Sequence, residues 1–238
     1  MLTQPSLLRD NASSALRRLN ALAPLSAEEL ALIERAAQNS RRVAARTEVV
    51  RETERPVRPC LLLQGWIGHQ RILRDGRRQI VGFTLPGEVF GRHHIAQGSA
   101  MLTQVALEPA VYCFAPAANG TDNLTRAYAR DQLAQRLHMV DNIVRLGRMD
   151  ARERVIDMLL EIYERLLLSG EVAGTSFHVP LTQECFADVL GLTPVHLNRT
   201  LQSCRRDGDL TWQGKSVVLH DPAGLASRVG RALASDRI

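Results

Sequence analysis

LTQECFADVLGLTPVHLNRTLQSCRRDG, Leu181 to Gly208, is the stretch on which the fold turns. It divides into two short helices about a tight turn. The first runs from about Thr182 to Leu190, with Phe186, Ala187 and Leu190 on one face at helical spacing. Gly191 breaks the pattern, and a residue without Cβ suits the left-handed position that closes a helix. Thr193 can cap the next helix with its hydroxyl, and Pro194 falls at the first helical position, where its missing N–H costs nothing. Leu197 and Leu201 then face inward, while His196, Asn198, Arg199 and Gln202 face out. Ala187 is small enough for two helices to cross over it. This is the pattern of a helix-turn-helix, whose second helix enters the DNA major groove. A structural hairpin in an all-α core would share the glycine turn. The next residues separate the two readings. LTWQGKSVVL, Leu210 to Leu219, reads as two strands about Gly214-Lys215, and a helix-turn-helix followed by a hairpin is a winged helix.

The rest of the chain bounds this reading. At 238 residues it suits one or two domains, and a hydrophobic content of 45% supplies a core. No apolar run approaches the roughly 18–20 residues of a membrane span. The start, MLTQPSLLRDNASS, lacks the apolar block of a secretion signal, so a cytoplasmic location is expected. A net charge of +5 permits a nucleic-acid partner without requiring one. Every Lys or Arg except Lys215 is arginine, so arginine alone marks no site; the single lysine, in the wing turn, fits a phosphate contact. Cys60, Cys113, Cys185 and Cys204 are far apart and form no CxxC pair, which excludes a zinc finger and a local iron–sulfur ligand set. Cys113 is expected to be buried in a strand. Cys185 and Cys204 lie beside the helix pair, and Arg205 and Arg206 would favour a Cys204 thiolate, the minority redox-sensing reading.

Residues 1 to about 40 read as helical. Leu16, Leu19 and Leu22 form an amphipathic segment that Pro24 interrupts, and Ser26 with Glu29 has capping-box spacing. From Arg41 to Pro116 the pattern changes to short strands punctuated by glycine and proline, with Asp75-Gly76 a strong hairpin turn, which argues for a sandwich or barrel. Residues 121–148 read as one long helix capped by Asp122. On it Leu133, Leu137, Val140, Val144 and Gly147 recur at steps of four and three, the stripe of a two-helix coiled coil, and a parallel homodimer is the favoured reading. Arg130, Gln135, Arg136, Asp141, Asn142 and Arg145 are expected to leave its other faces polar. Asp150 can cap the next helix, a core helix that Gly170 stops. Glu171 to Val179 reads as a loop and a short strand. The tail is expected to be loose from Arg231 onward.

The sequence resembles the Crp/Fnr family of bacterial transcription regulators. The matching residues are Leu181-Thr182-Gln183-Glu184, Ala187, Gly191-Leu192-Thr193, Asn198-Arg199-Thr200-Leu201 and Gly214-Lys215, together with LLLQGWI, LRDGRRQIVGFTLPGEVFG and MDARERV, so the likeness spans about residues 20 to 225. It implies an α+β chain: a cyclic-nucleotide-binding-like β-roll over 1–120, a dimerisation helix over 121–148 and a winged helix-turn-helix over 149–238. In the family the β-roll often holds a cyclic nucleotide, through a glutamate for the ribose and an Arg-Ser pair for the phosphate. Gly87 and Glu88 match the first part. RHHIAQGSAMLTQVAL lacks the pair, leaving Arg92 as the only substitute anchor, and Met139 and Val140 stand where cAMP binders carry hydroxyls. An unneutralised phosphate in a partly buried pocket is costly, so no tight cAMP binding is expected.

Two other readings stay open. One is a regulator that answers another small ligand or a redox signal through a remodelled pocket. The remote one is a cupin-like metal enzyme with a DNA-binding tail, resting on His93-His94 with His69 and Glu88; adjacent strand residues point to opposite faces, which disfavours it. No nucleophile–base pair supports enzymology, and no cofactor or metal is implied. The favoured reading is a dimer on a two-fold operator in double-stranded DNA. Arg199 reads guanine, His196 and Asn198 contact base or phosphate, and Val195 meets a thymine methyl where several relatives read cytosine with glutamate. Thr193, Pro194 and Gln202 complete the reading face, and Thr182, Gln183, Ser203 and Lys215 position phosphates. The Arg74 to Arg78 turn is a possible RNA polymerase contact, a solvated turn being the plainer role.

Overall fold

Local capping chemistry sets most helix boundaries. The computed structural model describes residues 4–54, 58–91, 99–120 and 122–232, with side chains from residue 12 onward. Helix α1 (Gln4–Leu22) precedes α2 (Ala27–Gln38). Glu29 N–H donates to Ser26 Oγ at 3.2 Å and Ser26 N–H to the Glu29 carboxylate at 2.6 Å, so the capping box is formed. Eight strands follow: β1 (Arg41–Val43), β2 (Glu48–Val50), β3 (Cys60–Gln64), β4 (Ile67–Ile72), β5 (Arg78–Thr84), β6 (Val89–Phe90), β7 (Thr103–Ala106) and β8 (Ala110–Phe114). They form two antiparallel sheets, ordered β1-β8-β3-β6 and β2-β7-β4-β5. The Asp75-Gly76 turn joins β4 to β5, and Leu73 N–H closes it on Arg77 O at 2.8 Å. Leu61, Leu63, Val89 and Val111 pack under α1, while Leu62, Ile67, Phe90 and Tyr112 fill the roll.

Asp122 caps α3 (Asn123–Arg148) by accepting from Thr125 N–H at 2.7 Å. Asp150 and Glu153 form a second capping box on α4 (Ala151–Ser169), which Gly170 closes at φ 71°. Val155, Leu159, Ile162 and Leu166 of α4 are buried in one cluster with Trp66, Ile80, Phe83 and Leu85 of the β-roll. The same cluster holds Phe186, Leu190, Leu197 and Leu201, so apolar packing is continuous from the roll into the C-terminal end.

That end comprises β9 (Val172–Ala173), β10 (Ser176–His178), α5 (Gln183–Leu190), α6 (Pro194–Arg206), β11 (Leu210–Gln213), β12 (Ser216–Leu219) and α7 (Pro222–Arg228). The sheet order is β11-β12-β10-β9. The segment read as a loop and one strand is therefore a full hairpin, in which Phe177 pairs with Val172 and Ser176 with Ala173, and β10 then joins β12 through Phe177 and Val217, both buried.

Two further expectations are corrected. The polar face of α3 does not all face solvent: Arg145 is fully buried and Asn142 nearly so. Arg145 donates to Asp157 at 2.8 Å and to Glu161 at 2.7 Å, which makes burial of its charge tolerable. Nor is the chain loose at Arg231. Its guanidinium is buried and donates to Asp157 and Glu164, each at 2.9 Å, because these acids on α4 need a cation where water is excluded.

Candidate nucleic-acid interface

The turn between α5 and α6 has the geometry its residues demand. Cys185 N–H donates to Thr182 Oγ1 at 3.1 Å, which caps α5. Gly191 takes φ 62°, and Leu192 N–H returns to Ala187 O at 3.0 Å. His196 N–H donates to Thr193 Oγ1 at 3.2 Å, with Pro194 at the start of α6. Phe186, Ala187, Leu190, Leu197, Leu201 and Cys204 bury the inner face against α4. Thr193, Pro194, Val195, His196, Asn198, Arg199 and Gln202 are all exposed on one side of α6, and Ser203 is half-buried. Val195 is 64% exposed, unusual for a valine with no partner on its own chain.

Thr182 and Gln183 line a groove of about 230 Å³ with Arg205, Trp212 and Gly214. Arg205 belongs to this group and was not singled out by sequence; it lies three residues past Gln202, on the same helical face. Trp212 stacks edge-on with Phe186 at 5.2 Å, which fixes the wing against α5. Lys215 sits at the wing tip, but its ammonium is engaged: Nζ donates to Glu108 of the β-roll at 3.4 Å.

The helix pair also contacts the β-roll directly. Arg78 Nε donates to Asp188 of α5 at 2.9 Å, and Gln79 Nε2 to Asp188 O at 2.7 Å. Arg78 is thus not part of a purely solvated turn.

The expected ligand-pocket positions do not converge. Gly87 takes φ +90°, and a Cβ there would meet Ser14 O at 2.8 Å and Arg18 Cβ at 2.9 Å, so α1 presses directly on it. Glu88 is fully buried. Its oxygens accept from Arg165 at 2.9 and 2.7 Å and from Leu85 N–H at 3.0 Å, and Arg18 stands at 3.2 Å. Burial pushes its carboxyl up, but Arg165 and Arg18 outweigh burial and hold it well below the usual carboxylate range. Met139 lines a cavity of only about 70 Å³ between β5, α3 and α4, with His69, His138 and Arg165. Val140 is exposed and outside that lining. Arg92 and His93-His94 lie outside the described residues. His69 bonds Thr84 Oγ1 at 2.7 Å rather than meeting Glu88.

Of the cysteines, Cys113 is buried in β8 as expected, and burial pushes its thiol up to about 12. Cys204 is also buried, and desolvation raises it to about 11 despite nearby Arg152; the thiolate reading fails there because Arg205 and Arg206 face outward. Cys185 is half-exposed.

On α3, Leu133, Leu137, Val140 and Val144 are 46–56% exposed and Gly147 has open space above it. Ile143, at 71%, and Met139, at 57%, widen this stripe beyond the residues the heptad spacing picks out.

Comparison with known proteins gives the same architecture. Residues 153–228 match the model of the Crp-like helix-turn-helix domain, and residues 40–122 that of the cyclic nucleotide-binding domain. The chain is 34% identical over 171 residues to the nitrogen fixation regulation protein FixK of Bradyrhizobium diazoefficiens, an alignment covering 68% of this chain and 70% of that one. It is 29% identical over 168 residues to the transcriptional activator protein FnrL of Cereibacter sphaeroides, covering 66% and 67%. The solved structure of FixK2 from Bradyrhizobium japonicum superposes with a TM-score of 0.70 at 27% identity, covering 82% of this chain and 98% of that one. The chain belongs to the Crp/Fnr family and is a DNA-binding transcription regulator of that family.

Proposed function

We propose that this regulator acts as a homodimer on a two-fold operator and does so without cyclic AMP. The exposed apolar stripe of α3 is the observation that carries the dimer. Leu133, Leu137, Val140 and Val144 lie half-open to water on a helix that buries Leu124, Ala127, Asp131, Asn142 and Arg145 on its other side, a costly arrangement unless a second copy covers it. Two copies related by a two-fold axis would present two α6 helices to successive major grooves, about 34 Å apart. Arg199 is the residue assigned to guanine, Val195 to a thymine methyl, and Thr182, Gln183, Ser203 and Lys215 to phosphates. The operator then differs from that of relatives carrying glutamate at the Val195 position.

Independence from cAMP rests on Glu88. To receive a ribose, its carboxylate would have to give up its contacts to the Arg165 and Arg18 guanidiniums. The adjoining cavity of about 70 Å³ is well below the ~300–1,000 Å³ of ordinary ligand sites. We assign the chain no catalytic role, place it in the cytoplasm, and keep RNA polymerase as a partner without assigning the Arg74 to Arg78 turn to it. Selection of bound sequences from random duplex DNA, with and without added cAMP, tests the whole reading. The expected result is one palindromic site, recovered equally in both conditions. A non-palindromic half-site would overturn the dimer, and recovery only with cAMP would overturn independence from it.

A further inference from the structure

The wing lysine and the β-roll are joined by a contact that DNA binding has no use for. Glu108 lies in the turn between β7 and β8, with its side chain 14% exposed. One oxygen, Oε2, faces two groups of the wing sheet: Lys215 Nζ at 3.4 Å and His178 Nε2 at 3.1 Å. Lys215 and His178 are held side by side, because β10 pairs with β12 and Val179 N–H donates to Lys215 O at 2.7 Å. The carboxylate therefore engages the ammonium that the proposed function assigns to a DNA phosphate. A second tether, Arg78 with Asp188, holds α5 to the same face of the roll. Between the tethers the surfaces do not close. A cleft of about 440 Å³ separates the outer face of the β2-β7-β4-β5 sheet from the start of α5. Polar, half-open contacts of this kind mark a junction that can part, unlike the apolar seam under α4.

We propose that Glu108 is an internal phosphate mimic, which latches the wing to the β-roll and withholds Lys215 from DNA. The inference rests on the reading of Lys215 as a phosphate contact. Glu108 neutralises the Lys215 charge, and a carboxylate held beside the DNA backbone also repels it. Release of Glu108 would free one cation per protomer for the operator and loosen the wing from the roll.

The test is a pair of substitutions measured on a mixed-sequence duplex of about 30 base pairs, between about 50 and 200 mM salt. Glu108→Gln keeps the side-chain shape and removes the charge. It is expected to tighten binding by about 3- to 10-fold and to steepen the salt dependence by about one released ion per protomer. In Glu108→Gln/Lys215→Ala both gains should vanish. A gain of the same size with and without Lys215 would mean bare repulsion and overturn the latch while leaving the phosphate contact standing. No gain from Glu108→Gln would also overturn it. If Lys215→Ala changes nothing in the Glu108→Gln background, the phosphate contact itself falls, and the latch with it.

Discussion

Arg199 and Val195 sit one helical turn apart on the open side of α6, and the roles proposed for them rest on different chemistry. A guanidinium offers two parallel donors that match the O6 and N7 acceptors of guanine, so its loss is felt at one base pair of each half-site. We expect Arg199→Ala to cost about 1–3 kcal/mol there and to flatten discrimination at that position only, measured by competition with single-base-pair variants. A uniform loss across all variants would instead place Arg199 on the backbone. Val195 has no polar atom to offer, and its 64% exposure leaves it free to touch a methyl group. Val195→Glu should move the preference at its base pair from thymine toward cytosine, whose amino group the carboxylate can accept from. Selection from random DNA reads that switch directly.

At the scale of elements, what the sequence made legible is what is decided within a few residues. The caps at Ser26, Asp122, Asp150 and Thr193 all form as their spacing predicts, because donor and acceptor lie within three positions. The two faces of α3 show where this stops. Its apolar stripe follows a heptad and is readable; its polar side is not. Arg145 looks like a solvent residue until Asp157 and Glu161 are brought to it from another helix, 12 and 16 positions on. The pairing of β10 with β12 and the Glu108 contact with the wing were hidden for the same reason, since each depends on partners placed by the tertiary fold. The stripe itself yields a prediction. Leu137 is 46% exposed in the protomer, so Leu137→Glu should leave the protomer folded. In a dimer it would set two carboxylates against each other in an apolar seam. Sedimentation should show one copy instead of two, and operator affinity should fall by at least about 100-fold as paired half-sites are lost. A variant that still sediments as two copies would move the interface elsewhere.

Across the whole molecule, a line of buried charges runs beside the apolar packing at the junction of α1, the β-roll, α3 and α4. Arg18, Glu88, Arg165, Glu161, Arg145, Asp157 and Arg231 run through it as a connected chain of ion pairs. Arg165 is its middle link, donating to Glu88, to Glu161 at 2.9 Å and to Phe83 O at 2.6 Å. Arg165→Leu would take one of two cations from each of two buried carboxylates, Glu88 keeping Arg18 and Glu161 keeping Arg145, and should cost roughly 3 kcal/mol in urea unfolding. The same arrangement fixes how stability answers to acid. His138 lies against Glu161 and Arg165, and burial, with Arg165 next, pushes its imidazole from 6.5 down to about 4. Between those values the unfolded chain binds a proton that the folded chain refuses, so stability must fall as pH drops through that window. Burial pushes Glu161 up, yet His138, Arg145 and Arg165 together hold it from 4.5 down to about 2. Its contribution is complete above 4.5 and is lost as pH falls toward 2, the same sign in a lower window. Denaturation from pH 7 downward should therefore show two successive losses, the upper one worth up to about 3 kcal/mol. His138→Gln should remove the upper loss and shrink the lower, because the imidazolium that forms below about 4 is also one of the cations holding Glu161 down. If the variant loses stability between pH 6.5 and 4 as steeply as the parent, some other group governs that range and His138 is not held neutral by its burial.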